Sequence, residues 1–242
     1  MEQTQTNNQI QSDKELESLR DLRLDLLKQR RTRILVMSVL LVALVSTSVF
    51  GTLENPLEYT LSNIGNFFSY RWLFIVWAMV TGISIQISVL ALFRLEEYYK
   101  KISYVYVGIS AAMLVLTAIV PALKDIYPFW QIVHTVFSGL HALFLLLAIA
   151  PFLKRTSDEN PRLKQIINVW LIVIWGGGVL TMLILGKSAI FELWFFIGMI
   201  LFLLYLLLVL FEEKIVKMSV TYMRDEPDLN LAIEKLFINK RN

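Results

Sequence analysis

Six long apolar runs alternate with short polar connections along most of the chain, at about 34–53, 72–93, 103–123, 131–153, 165–185 and 190–211. Each run is close to the length of about 20 residues that an α-helix needs to cross the hydrocarbon core of a bilayer. The pattern therefore predicts an all-α fold, a polytopic membrane bundle of six transmembrane helices. The first three runs and the last three share no alignable pattern, which counts against a transporter built from inverted repeats.

The segment before the first run, 1–33, is polar and predicts a cytoplasmic tail with an amphipathic N-terminal helix. Ser12 and Glu15 have the spacing of a capping box, so the helix is expected to begin there. It would carry an apolar stripe at Leu16, Leu19, Leu22 and Leu26. One interpretation is a helix on the inner membrane surface, with its basic end held by anionic lipid. The other is a short coiled coil with a protein partner or a second copy, although Arg23 interrupts a core position.

Composition supports this assignment, and the distribution of charge predicts the orientation of the chain in the membrane. The chain is 56% hydrophobic and 18% charged, with a mean hydropathy of +0.59, and soluble domains carry about 25% charge. Of its 23 lysines and arginines, only Arg71, Lys124 and Lys187 fall in the connections of one side. The positive-inside rule then predicts a multi-pass protein of the cell membrane with both termini cytoplasmic. The basic residues need no nucleic acid to explain them, and membrane lipids are the expected partners.

The segment after the last run, 212–242, is predicted to be a cytoplasmic C-terminal tail. Pro227 is followed by a stretch, 228–237, that is typical of a short surface helix. No chemistry is assigned to it.

The fourth run contains both histidines of the chain, His134 and His141. Seven residues are nearly two helical turns, so the two lie about 20° apart on one helix face. An ionisable side chain inside a membrane helix is costly and marks a functional site by default. Glu192 begins the sixth run at the same predicted level. The adjoining candidates come from the outer segment before the second run and are Glu58, Ser62 and Asn63.

Three interpretations of this polar layer stay open. His134, His141 and Glu192 are candidate ligands of zinc or another divalent ion, with Asp125 nearby. The histidines would equally suit a proton relay, or they hydrogen-bond across helices without a ligand. No catalytic residue is assigned and no cofactor is predicted, with zinc as the alternative. The chain has no cysteine, which removes thiolate ligands and nucleophiles.

Glycines raise two further expectations. The outer segment is predicted to form a short helix on the outer face that breaks at Gly65. Gly176 to Gly178 lie in the middle of the fifth run, where they indicate either close packing against a neighbouring helix or a local break that lines a cavity.

Several of these positions resemble a bacterial and archaeal family of six-span membrane proteins. The resemblance rests on Leu61, Ser62, Asn63, Ile64 and Gly65, on Gly82, on a histidine in the fourth run and on Glu192. The family is catalogued as a domain of unknown function and is distantly similar to DRAM-like autophagy modulators and Frag-type proteins. It implies a six-span architecture over about 34–211 and a site near Ser62, Gly65, His141 or His134, and Glu192. Asn63 replaces an acidic residue that is frequent in the family. Some eukaryotic relatives are associated with membrane lipid organisation.

The leading functional prediction is a non-enzymatic protein that binds or organises a lipid or small amphiphile at an outward-facing polar pocket. The alternative is an intramembrane lipid hydrolase or metal-dependent enzyme that uses His134, His141 and Glu192. Thr47 and His134 faintly resemble the threonine and histidine of six-span lipid hydrolases of the androgen-induced type. A small proton-coupled transporter is the third hypothesis, so enzymatic activity stays open.

Overall fold

The computed structural model describes residues 2–123 and 126–225, with side chains for 20–21, 23–123 and 126–217. In that part of the chain it contains seven α-helices: α1 Glu2–Gly51, α2 Leu61–Phe67, α3 Arg71–Leu95, α4 Lys101–Ile119, α5 Pro128–Glu159, α6 Pro161–Leu185 and α7 Ala189–Asp225. Six of them, all except α2, are long and apolar enough to cross a membrane. The protein is thus an all-α, multi-pass membrane protein, as the six apolar runs predict. Asp125 and the helix predicted after Pro227 lie outside the described residues.

The first and last helices extend beyond the predicted spans. The expectation that the first helix begins at Ser12 was wrong, because α1 begins at Glu2 and continues without interruption into the first span. Residues 2–50 contain no glycine or proline, so nothing in this stretch forces a helix to end. In the same way α7 continues past residue 211 to Asp225. Of the four leucines in the predicted apolar stripe, only Leu26 has its side chain among those that the structure describes.

The chain forms two compact units. One is Ile34–Leu207, which holds α2 to α6 and most of the apolar lengths of α1 and α7. The other comprises the described parts of Met1–Arg33 and Leu208–Asn242. Inside this second unit, the guanidinium of Arg33 lies 4.3 Å from the centre of the Phe211 ring, a cation–π contact between α1 and α7.

In the larger unit, the short helix α2 closes one end of the helix bundle. Three connections lie at this end: the one between α1 and α3, the one between α4 and α5, and the one between α6 and α7. We call it the α2 end. The side chains of Leu61 and Ile64 are 1% and 0% exposed. They belong to an apolar core with Phe50, Phe74, Trp77, Ala78, Ala118, Ala189 and Leu193. Burying a leucine and an isoleucine stabilises this position by about 1.5–3 kcal/mol for each side chain.

Gly65 lies inside α2, so the prediction that the helix breaks there was wrong. A Cβ atom at this position would stand 2.4 Å from Phe74 Cβ, on the neighbouring helix α3. The glycine therefore allows α2 to press against α3. Its role is a close approach of two helices, and not the chain break that its low helix propensity suggested.

Candidate functional site

Glu192 joins the beginning of α7 to the beginning of α2. Its Oε2 accepts a hydrogen bond of 2.6 Å from the backbone N–H of Leu61, the first residue of α2. That N–H is one of the donors that a helix leaves without an internal partner, and a carboxylate at this end also interacts favourably with the helix dipole. Glu192 therefore acts as a tertiary cap of α2.

The same junction is held in the opposite direction by backbone groups. The N–H of Ala189 donates to the carbonyl of Tyr59 at 2.7 Å, and the N–H of Ile190 donates to the carbonyl of Pro56 at 3.3 Å. These are the first donors of α7, so the segment before α2 caps α7 while Glu192 caps α2. Hydrogen bonds in both directions thus connect the N-terminus of α2 with the N-terminus of α7.

Ser62 and Asn63 lie in the first turn of α2, half-buried, where they take part in local capping. Thr60 is the N-cap residue, and its Oγ1 accepts from the N–H of Asn63 at 3.2 Å. The hydroxyl groups of Thr60 and Ser62 are 3.1 Å apart. Glu58 is exposed and accepts from the side-chain amide of Asn55 at 2.9 Å, within its own turn. Thus Ser62 and Asn63 share the α2 end with Glu192, whereas the described contact of Glu58 is local.

His134 caps a different helix end. Its Nδ1 lies 3.1 Å from the carbonyl oxygen of Val120, just after α4, and because a carbonyl can only accept, Nδ1 carries the proton. The side chain of Arg71 donates to the neighbouring carbonyl of Ile119 and to Oδ1 of Asn66 in α2. Two basic side chains therefore cap the carboxyl end of α4, an arrangement favoured by the helix dipole.

His141 lies deeper along α5 and pairs with Ser110 of α4. Nδ1 of His141 is 3.0 Å from the carbonyl of Ser110, and the hydroxyl of Ser110 donates to the carbonyl of His141 at 3.0 Å. Both side chains are buried. The two residues thus form a reciprocal interhelical pair, which supports the hydrogen-bonding interpretation of this histidine.

The candidate metal ligands have separate partners. His134 bonds to Val120, His141 to Ser110 and Glu192 to Leu61. Among the described residues, no group of three or more His, Asp and Glu side chains is placed to hold a metal ion.

Thr47 is likewise engaged elsewhere. Its hydroxyl is 3.2 Å from that of Thr81 and accepts from the indole N–H of Trp77, also at 3.2 Å. All three side chains are buried. The described hydrogen bonds of Thr47 thus go to α3, and those of His134 go to the end of α4.

The close-packing interpretation of the three glycines applies to Gly177. A Cβ there would lie 2.4 Å from Trp194 Nε1, and that indole donates to the carbonyl of Val173 at 3.1 Å. Gly176 faces open space apart from one atom of Ile172 at 4.0 Å. The glycine run therefore serves contact between α6 and α7, within an α6 that continues unbroken to Leu185.

Arg71 and Ser110 are the site residues that sequence reasoning missed. Arg71 had one indication in the sequence, because it is one of few cations on its predicted side. Ser110 had none, since a serine in an apolar run is common and its pairing with His141 depends on helix rotation.

No family model, no curated protein and no solved structure matches this chain. The resemblance to the six-span family stays a prediction.

Proposed function

We propose that this membrane protein binds a lipid at the α2 end, with the phosphate of the headgroup at Arg71 and the acyl chains along the apolar surface. The observation that carries the proposal is the fixed guanidinium of Arg71. It is half-buried and oriented by acceptors on both α2 and the end of α4. A guanidinium has more N–H donors than these two bonds use, and its planar fork suits a phosphate.

Two further features at the same position support an anionic ligand. Arg71 is the first residue of α3, and the preceding residue, Tyr70, makes no side-chain cap. A helix N-terminus without a side-chain acceptor attracts phosphate oxygens. Trp72, the next residue in the chain, and Phe67, the last residue of α2, are exposed, as aromatic side chains at a membrane interface commonly are. A headgroup at Arg71 would therefore have both polar and apolar contacts.

The proposal includes an orientation. We infer that the α2 end faces the outside of the cell and that both termini are cytoplasmic, in the plasma membrane. Among the described residues at the α2 end, Arg71 and Lys187 are the only lysine or arginine, and basic residues concentrate on the cytoplasmic side. The bound lipid then belongs to the outer leaflet.

The experiment compares charge-matched variants at the same end. Protein purified in mild detergent is titrated with a phospholipid, and bound lipid is counted by native mass spectrometry. Arg71→Gln should weaken binding about 10–100-fold, from the loss of a charge-assisted bond worth about 1.5–3 kcal/mol. Lys187→Gln removes the same charge from an exposed side chain and should change little. Equal affinities for the two variants would refute the proposal.

A second variant separates binding from folding, because Arg71 also caps α4. Asn66→Ala keeps the charge of Arg71 and removes one of the acceptors that orient it. We expect weaker lipid binding, by about 3–10-fold, since a pre-oriented fork is part of the affinity. Unchanged binding would mean that the orientation of the guanidinium plays no part.

A further inference from the structure

One side of α1 in the second unit is exposed and carries both leucines and basic residues. The side chains of Leu24 and Leu27 are 57% and 51% exposed. Residues three or four apart lie on one side of a helix, and by this spacing the two leucines share their side with three exposed cations: Arg20, Lys28 and Arg31. Arg33 follows Leu24 by two and a half turns, so it lies on the opposite side of α1, where it contacts Phe211 of α7. We call the exposed side, formed by these two leucines and three cations, the Leu24 face.

The end of α7 lies near the beginning of the Leu24 face. Within this unit α1 runs toward Arg33 and α7 runs away from Phe211, and the contact between these two residues sets the register of the two helices. Asp225, the last residue of α7, is 14 residues after Phe211, and Leu19 is 14 residues before Arg33. Each of these stretches of helix is about 21 Å long. The chain therefore leaves α7 at about the level of Arg20.

The sequence after Asp225 complements the Leu24 face in pattern and in charge. Pro227 follows the end of α7 and cannot continue that helix, which favours a change of chain direction. Three apolar residues then have the spacing of one helix side: Leu229, Ile233 and Leu236. Residues 226–237 include three acidic residues and one lysine, whereas residues 20–31 of α1 include five basic and two acidic residues. The two stretches therefore have opposite net charges.

We propose that residues 228–237, which lie outside the described part of the chain, pack as a helix on the Leu24 face. The apolar side of this segment covers Leu24 and Leu27, and its acidic residues lie among the cations of the face. Ten residues of helix are about 15 Å long, which is enough to run from the level of Arg20 past that of Leu27. The contact holds the C-terminal segment against the N-terminal helix. It is separate from the lipid site at Arg71 and does not depend on it.

Disulfide formation tests this contact in the full-length protein. The chain has no cysteine, so a pair of substitutions introduces the only two thiols. Leu27→Cys with Ile233→Cys should form an intramolecular disulfide under mild oxidation, because packing brings the two Cβ atoms to within roughly 4.5 Å. In the control, Leu27→Cys with Leu231→Cys, the second thiol has almost the same tether but lies on the opposite side of the segment. We expect the pair with Ile233→Cys to react about tenfold faster than the control or more.

Maleimide labelling of Leu24→Cys measures coverage of the same face without a crosslink. In lipid-free detergent, adding Ile233→Ser and Leu236→Ser should raise the labelling rate about 5–20-fold, because the segment no longer protects the thiol. Leu231→Ser, on the opposite side of the segment, should leave the rate unchanged.

Four results would overturn the proposal. Equal disulfide rates for the two cysteine pairs would mean that the segment does not pack on α1 in one orientation. A disulfide between two chains would mean that a second copy covers the Leu24 face. A labelling rate that the serine substitutions leave unchanged in detergent would mean that the segment does not protect the face. Protection that appears only in vesicles of anionic lipid, and persists with the serine substitutions, would mean that the membrane covers it.

Discussion

Replacement of Glu192 by alanine should release α2 from the end of the bundle. The substitution leaves the N–H of Leu61, a residue that is 1% exposed, without its acceptor. An unsatisfied buried donor costs about 1–3 kcal/mol, and the lost interaction with the helix dipole adds about 0.3–1 kcal/mol. We expect a total of about 2 kcal/mol. Glu192→Gln keeps an oxygen acceptor and loses only the charge, so it should cost about 0.5–1 kcal/mol.

Thiol labelling measures this opening directly. The chain has no cysteine, so Ile64→Cys introduces a single thiol on the buried face of α2, at a position that is 0% exposed. If α2 opens and closes faster than the thiol reacts, the labelling rate follows the opening equilibrium. The opening equilibrium changes tenfold for about 1.4 kcal/mol. The thiol should therefore be labelled about 30-fold faster in Glu192→Ala and about 2–5-fold faster in Glu192→Gln.

The matched control is Glu58→Ala, which removes an exposed glutamate whose described hydrogen bond is with Asn55 in its own turn. Its labelling rate should stay within about twofold of the parent protein, since such exposed contacts contribute little. If Glu192→Ala also labels at the parent rate, the carboxylate does not hold α2, and the interpretation of Glu192 as a tertiary cap is refuted.

Two further predictions concern the contacts between spans, and chemical denaturation in mixed micelles measures both. Gly177→Ala should destabilise the protein by about 1–3 kcal/mol, because the new methyl group overlaps the indole of Trp194. Gly176→Ala faces open space and should stabilise α6 by about 0.5–1 kcal/mol. If both variants stabilise the protein, or both destabilise it, the packing of Gly177 against Trp194 is contradicted. Ser110→Ala removes the hydroxyl that donates to the backbone carbonyl of His141 and should cost about 0.6–1.7 kcal/mol. His141→Ala removes the ring N–H that donates to the carbonyl of Ser110 and should cost more, because it also empties the space of a buried imidazole; the reverse order would contradict the pairing.

The hydrophobic pattern predicts the number and the approximate length of the spans, because bilayer thickness sets that length. Spans of about 20 apolar residues follow from composition alone, and the six apolar runs correspond to six candidate spans. The ends of α1 and α7 could not be predicted in this way, because a polar sequence without glycine or proline is compatible with both helix and coil. Gly65 was misjudged since its low helix propensity is visible in the sequence and the nearby Phe74 is not.

The candidate site was predicted by residue type but not by partner. The cost of burying charge singles out His134, His141 and Glu192 as residues that need partners in a membrane, and the structure gives each of them a hydrogen bond. Which groups satisfy them depends on helix rotation and on the ends of other helices. The carbonyls of Ser110 and Val120 and the N–H of Leu61 are backbone groups, and they carry no residue-type information. Arg71 was counted as a topological charge, although its side chain connects α2 with the end of α4.

Photocrosslinking tests the lipid-binding claim most directly. Protein in vesicles is irradiated with a phospholipid that carries a photoreactive group beside its phosphate, and the modified residues are located by mass spectrometry. Adducts should concentrate on the residues around Arg71, above all Asn66 and Trp72, and should decline in Arg71→Gln but not in Lys187→Gln. Adducts that are spread evenly over both ends of the bundle, or that persist at Asn66 and Trp72 in Arg71→Gln, would contradict a headgroup site at Arg71.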